Sequence, residues 1–158
     1  MTLTIPEIEA EQFREALHAF GVTMQPRDAM EFVDGVEAAM LEAYPRIAPE
    51  TRHIFTPGMY SRTICMLAGD LITSKIHKTE HQFVVQCGSV SVWTKENGVI
   101  TLHAPYHGIT YPDTRRILFV HTDCVWTTFH PTNETDLDKL EELLIMKHEN
   151  PKLERSLP

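Results

Sequence analysis

The chain has 158 residues, 42% of them hydrophobic and 23% charged, with a formal net charge of −8. That length suits one domain with a buried core. The acidic balance excludes a phosphate-gripping nucleic-acid surface, and the absence of any apolar run of about 18 residues excludes a helical membrane span.

The first residues, "MTLTIPEIEAEQFREAL", are acidic and amphipathic, without the basic start and apolar block of a signal peptide. Ile5, Ile8, Phe13, Leu17 and Phe20 fall on one helical stripe that Gly21 ends. Pro26 suits a second helix start, followed by the stripe Met30, Val33, Val36, Met40, Leu41 and Tyr44. Pro45 and Pro49 then break the pattern.

From about Met59 to His130 short runs rich in Val, Ile, Thr, Phe and Trp alternate with turn residues. Eight strands are expected: "MYSRTICML", "DLITSKIH", "HQFVVQC", "SVSVWT", "VITLH", "HGITY", "RRILFVH" and "CVWTTFH". Asn97-Gly98 supplies the positive φ angles of a hairpin between the fourth and fifth. So many short strands predict a closed barrel or a two-sheet jelly roll. The segment "NETDLDKLEELLIMKHEN" then reads as an amphipathic helix, N-capped by Asn133 or Thr135, with Leu137, Leu140, Leu144 and Ile145 facing inward. The expected fold class is mainly β, a jelly-roll barrel with two N-terminal helices and one C-terminal helix. The expected divisions are 1–50, 51–131 and 132–158, all within one folded domain. The helices are expected to cover the barrel or to form a homodimer contact, since their apolar stripes need burial. Cys65, Cys87 and Cys124, an odd number without metal-type spacing, read as small buried residues in a reducing, cytoplasmic setting.

Nine histidines are present, six of them (His53, His77, His81, His103, His107, His121) in the middle of the chain, with His130 at its far edge. The sharpest cluster is "HKTEH", residues 77–81, which matches the H-x-x-E-H pattern of one class of zinc peptidases. That chemistry needs a helix, and the flanks "DLITSKI" and "QFVVQCGSVSV" are β-type, so the peptidase reading fails. Along one straight strand the two rings would be about 13 Å apart at about 3.3 Å per residue. If Lys78-Thr79-Glu80 is a turn, however, His77 and His81 converge from adjacent strands.

These residues resemble the first motif of the cupin superfamily, G-x5-H-x-H-x3-E-x6-G. Gly69, His77 and Gly88 match at the family's spacing, whereas Lys75 stands at the first histidine and His81 at the glutamate. The second motif, G-x5-P-x-G-x2-H-x3-N, is fainter in "GITYPDTRRILFVH". There Pro112 matches, Thr114 and Ile117 replace glycine and histidine, and His121 takes the asparagine place. "KIHKTEH", "APY" and "DCVWTTFHPTNETDLDKLEE" are also similar to small cupin-type proteins of tailed phages. The resemblance implies a jelly roll that commonly holds Fe, Mn, Ni or Zn, with activities from dioxygenase and isomerase to pure ligand binding, so the reaction stays open.

The expected ligands of a divalent metal are His77, His81 and His121, with His107 and His103 as fallbacks. Glu80 is the nearest acid/base for an enzyme. A small polar ligand is the expected partner, with no nucleic acid and no membrane. Lys75, and Arg115 or Arg116, could meet its charge. Tyr60, Tyr106, Tyr111, Trp93 and Trp126 are pocket or core. The rival readings are a non-catalytic binder of a sugar or nucleotide and a structural assembly module.

Overall fold

A computed structural model describes residues 5–19, 29–43 and 48–147. Two helices, α1 (Ile5–Ala19) and α2 (Ala29–Ala43), precede seven strands. These are β1 (Glu50–Thr56), β2 (Met59–Met66), β3 (Leu71–Thr73), β4 (His81–Thr94), β5 (Gly98–His103), β6 (Tyr106–Thr110) and β7 (Ile117–His130). Helix α3 (Leu137–Leu144) follows. All strand pairings are antiparallel, in the order β1-β2-β7-β4-β5, with β3 on β7 and β6 on β4. The expected mainly β class with two N-terminal helices and one C-terminal helix is the architecture observed.

The two 14-residue strands organise everything else. "HQFVVQC" and "SVSVWT", expected as two strands, are the halves of β4, and "RRILFVH" and "CVWTTFH" contribute the halves of β7. The first half of β4 pairs with β6 and the last part of β7, and its second half with β5 and the first part of β7. Register shifts between Val85 and Val90 mark the bend. There Gly88 has φ +81, and a Cβ on it would stand 2.2 Å from the Asp123 carbonyl oxygen. Only glycine lets β4 pass that close to β7.

The bend folds one sheet into two facing halves, and the apolar faces of both line the space between them. Phe83 and Val85 come from the first half of β4, and Val90 and Val92 from the second. Leu118, Val120, Cys124 and Trp126 answer from β7. This is the jelly-roll arrangement of a two-sheet core. The opposite face of the second half is covered by the N-terminal helices: Phe13, Leu17, Phe32, Val33 and Val36 pack on Trp93 and Ile117. Arg115, fully enclosed, pairs there with Asp34 and, at 2.9 Å, with Glu37 on α2. The helices therefore bury their stripes on the barrel of their own chain.

Several local expectations change. Strand β1 was not expected; its pattern leaves most side chains exposed, so it carries little hydrophobic signal. Of "DLITSKIH" only Leu71–Thr73 is strand, and His77 makes an isolated bridge with Ile145. Ile8 is exposed rather than in the α1 stripe, as is Leu137 in α3. The α3 N-cap is Asp136, whose carboxylate accepts from the Asp138 and Lys139 amides. In the β4–β5 turn only Gly98 takes positive φ, at +63, and Asn97 does not. Of the cysteines only Cys124 is buried, and Cys87 is exposed at the bend. Phe20, Gly21, Pro26, Tyr44 and the tail beyond residue 147 lie outside the described residues.

Helix α3 lies across one end of the barrel, with Leu140 and Leu144 packed against Tyr60 and Ile145. Main-chain bonds tie its end to the segment before β4: the Lys78 amide donates to the Leu144 carbonyl at 2.8 Å, and the Met146 amide to Ile76 at 2.9 Å. Among the described residues no helix is long and apolar enough to cross a membrane.

Candidate metal centre

Under α3 the barrel encloses a cavity of about 400 Å³, whose wall includes His77, His81 and His130. His77 sits on the extended segment held by Ile145, His81 opens β4, and His130 closes β7. The residues between His77 and His81 form a bend, not a helix, and the ring centroids are 4.4 Å apart. The His130 ring lies 4.5 Å from that of His81 and 5.7 Å from that of His77. One ligand atom from each of the three falls within 4.8 Å of the others. Two nitrogens on a tetrahedral ion, each about 2.0–2.1 Å from it, would be about 3.4 Å apart, a spacing within reach of ring rotation.

The hydrogen bonding shows what each ring presents. His81 Nδ1 donates to the Thr79 carbonyl at 3.2 Å, and His130 Nε2 pairs with the Thr128 hydroxyl at 3.1 Å. Three nitrogens are left buried without a protein partner: His77 Nδ1, His81 Nε2 and His130 Nδ1. Holding one ring nitrogen so that the other presents its lone pair is the usual support for a metal-ligating imidazole. All three rings are also held neutral, as ligation requires. Burial, then the neighbouring His81 and His130, pushes His77 down to about 2. Burial also lowers His130 to about 4, helped by His81 and Arg62. His81 is lowered by burial despite its bond to Thr79. The residues present fit a transition-metal ion.

The structure brings His130, not His121, together with His77 and His81. His121 lies on the face of β7 shared with Ile117 and Phe119, and that face points to the helices. Its Nε2 bonds Ser91 at 2.7 Å and its Nδ1 bonds Gln12 of α1 at 3.1 Å. The fallbacks are elsewhere as well: His103 meets Glu9 at 3.2 Å, and exposed His107 bonds Gln82 at 3.2 Å. Glu80 is exposed on the bend and is not part of the cavity wall. Cys124, Trp126, Thr128 and His130 alternate along one face of "CVWTTFH"; the sequence shows that alternation, and the structure shows that this face lines the interior.

Other expected pocket residues divide clearly. Tyr60 and Trp126 line the cavity, Trp93 lies under the helices, and Tyr106 and Tyr111 are exposed. Arg115 is the packed arginine of its pair, whereas Arg116 reaches the cavity. Lys75 also lines it, 2.5 Å from Glu141. Tyr60 donates to or accepts from His53 Nδ1 at 2.8 Å and stacks on His130 at 5.7 Å.

No family model matches the chain, and no curated protein does. Solved structures are similar in fold. A cupin-2 domain containing protein from Shewanella frigidimarina is 12% identical, with 58% of this chain and 88% of that one covered at a TM-score of 0.45. A conserved protein with a double-stranded beta-helix domain from Klebsiella pneumoniae is 16% identical over 61% and 90%, at 0.47. An rmlc-like cupin family protein with a double-stranded beta-helix fold from Methanocaldococcus jannaschii is 8% identical over 62% and 92%, at 0.45.

Proposed function

We propose that the cavity is a metal centre, in which His77, His81 and His130 hold a divalent transition-metal ion and leave room for a small polar ligand. The observation that carries this reading is the set of three buried imidazole nitrogens, each without a protein partner, on one cavity wall. Unpaired buried nitrogens are costly, and three of them at one place point to a common partner. Three imidazoles suit Zn, Fe, Ni and Cu alike, without choosing among them. When bound, such an ion supplies Lewis acidity towards a ligand oxygen.

The chain's own residues do the rest. Thr79 and Thr128 orient two of the rings, and α3 covers the cavity. Tyr60 offers a hydroxyl backed by His53. The acidic side chains on the wall, Asp138 and Glu141, both come from α3, and Glu141 is engaged by Lys75. That placement favours a second reading, a non-catalytic binder, over one in which a carboxylate beside the imidazoles acts as base. A cytoplasmic location, a homodimer and kinship with phage-encoded proteins remain parts of this proposal.

The test is metal content by mass spectrometry on untagged protein purified without chelator. About one equivalent is expected in the wild type and in His121→Ala, and little in His77→Ala, His81→Ala or His130→Ala. A wild type that refuses added Zn, Fe, Mn and Ni would overturn the assignment, as would full metal retention in His130→Ala.

A further inference from the structure

Two arginines share the cavity with the three imidazoles. Arg62 stands on β2 opposite Thr128, two residues from His130. Among the described residues its side chain has no hydrogen-bond or ion-pair partner. Arg116 reaches in from just before β7, its guanidinium carbon 5.5 Å from the Phe83 ring centre and 6.0 Å from that of Trp126. Its side chain donates one hydrogen bond among the described residues, from Nη2 to the Thr110 hydroxyl at 2.9 Å. The two flank the histidines: Arg62 acts on His77 and His130, and Arg116 on His77 and His81.

With the imidazoles neutral, three cations on the wall (Arg62, Arg116 and Lys75) stand against two carboxylates (Asp138 and Glu141), which leaves an excess of one positive charge, and a bound dication adds to that. The carboxylate nearest in charge effect to Arg62, Glu141, is bonded to Lys75 at the mouth. Burial pulls the Arg116 guanidinium down to about 10, as expected of a cation that has lost water without gaining a full counter-charge. Guanidinium forks match planar or tetrahedral oxyanions. Much of the remaining wall is apolar, with Ile64, Ile72, Leu118, Leu140 and Leu144 among its residues. A volume of about 400 Å³ suits a small organic molecule.

We propose that the cavity binds a small organic anion, its carboxylate or phosphate head held by Arg62 and Arg116 and its apolar body against Ile64, Ile72 and Leu118. This deepens the metal-centre reading and rests on it for the identity of the site, but the anion's contacts are with the arginines and the apolar wall. The head lies beside the imidazoles, where an ion would reinforce its binding. A bare inorganic anion would leave the apolar wall uncovered, so it is not the full ligand.

Titration calorimetry with benzoate, phenyl phosphate and the neutral benzamide tests this on metal-loaded full-length protein, in a buffer free of other oxyanions. Metal content is measured on the same samples. At least one anion is expected to bind about tenfold or more tighter than benzamide, and the anion that does so identifies the head group. Arg62→Met and Arg116→Met should each weaken that anion at least about tenfold with metal content unchanged. Arg116→Lys, which keeps the charge but not the fork, covers the case in which Arg116→Met does not fold. Equal binding of benzamide, no binding of either anion, or unaltered binding in both arginine positions overturns the anion assignment. Anion binding by a protein that takes up none of the added metals overturns the metal-centre reading alone.

Discussion

His81 shows how one hydrogen bond decides which side of an imidazole is offered. A carbonyl can only accept, so the bond to Thr79 puts the proton of the neutral ring on Nδ1 and the lone pair on Nε2. The same rings make a pH prediction for the chelator-stripped protein. His77 and His130, at about 2 and about 4, lie below the roughly 6.5 expected of an unfolded histidine. The unfolded chain therefore binds more protons below that value, and stability is lost as pH falls from about 6.5. His53, His81 and His121 are lowered too and add in the same direction. The melting temperature should fall from pH 7 to pH 5, and less steeply in His77→Gln. A flat wild-type curve would contradict the buried, neutral triad. "HKTEH" made two of these imidazoles legible, because a bend between β-type flanks brings its ends together. The third was not, because choosing between His121 and His130 requires knowing which face of β7 looks inward.

At the level of elements, β7 keeps one parity inward along its whole length, with Leu118, Val120, Cys124 and Trp126 in the core, whereas β4 does not. In β4 the inward positions are Phe83 and Val85 before the bend and Val90 and Val92 after it, so their parity changes across Gly88. Strand runs were readable from period-two patterning, and so was the position of the glycine. The parity change was not, because a bulge depends on how two strands meet and leaves no local pattern of its own. Gly88→Ala tests the joint. The added methyl would meet the Asp123 carbonyl at 2.2 Å on a backbone with φ +81, so a loss of about 2 kcal/mol or more is expected in denaturant unfolding. Stability equal to wild type would mean that the two strands can part there without cost. The helices were legible through their stripes, yet not every stripe position is buried. Ile8 and Leu137, each near the beginning of its helix, stay exposed.

For the whole molecule, the two ends of the chain serve different purposes. The N-terminal helices seal the outer face of the half-sheet formed by β3, β5 and parts of β4 and β7. Arg115 fastens α2 there through Asp34 and Glu37. Arg115→Met removes a buried cation from two carboxylates and should destabilise the protein by about 3 kcal/mol in thermal or denaturant unfolding, with metal content per folded molecule unchanged. Loss of metal from the folded variant would show instead that the two ends communicate. The C-terminal helix covers the cavity, and its last residue, Leu144, and Met146 just beyond it are hydrogen-bonded to the main chain on both sides of His77. One ligand of the proposed ion thus hangs from the lid itself. Filling the centre and seating the helix are then two readings of a single equilibrium. With the proposed ion bound, each would steady the other by the same free energy.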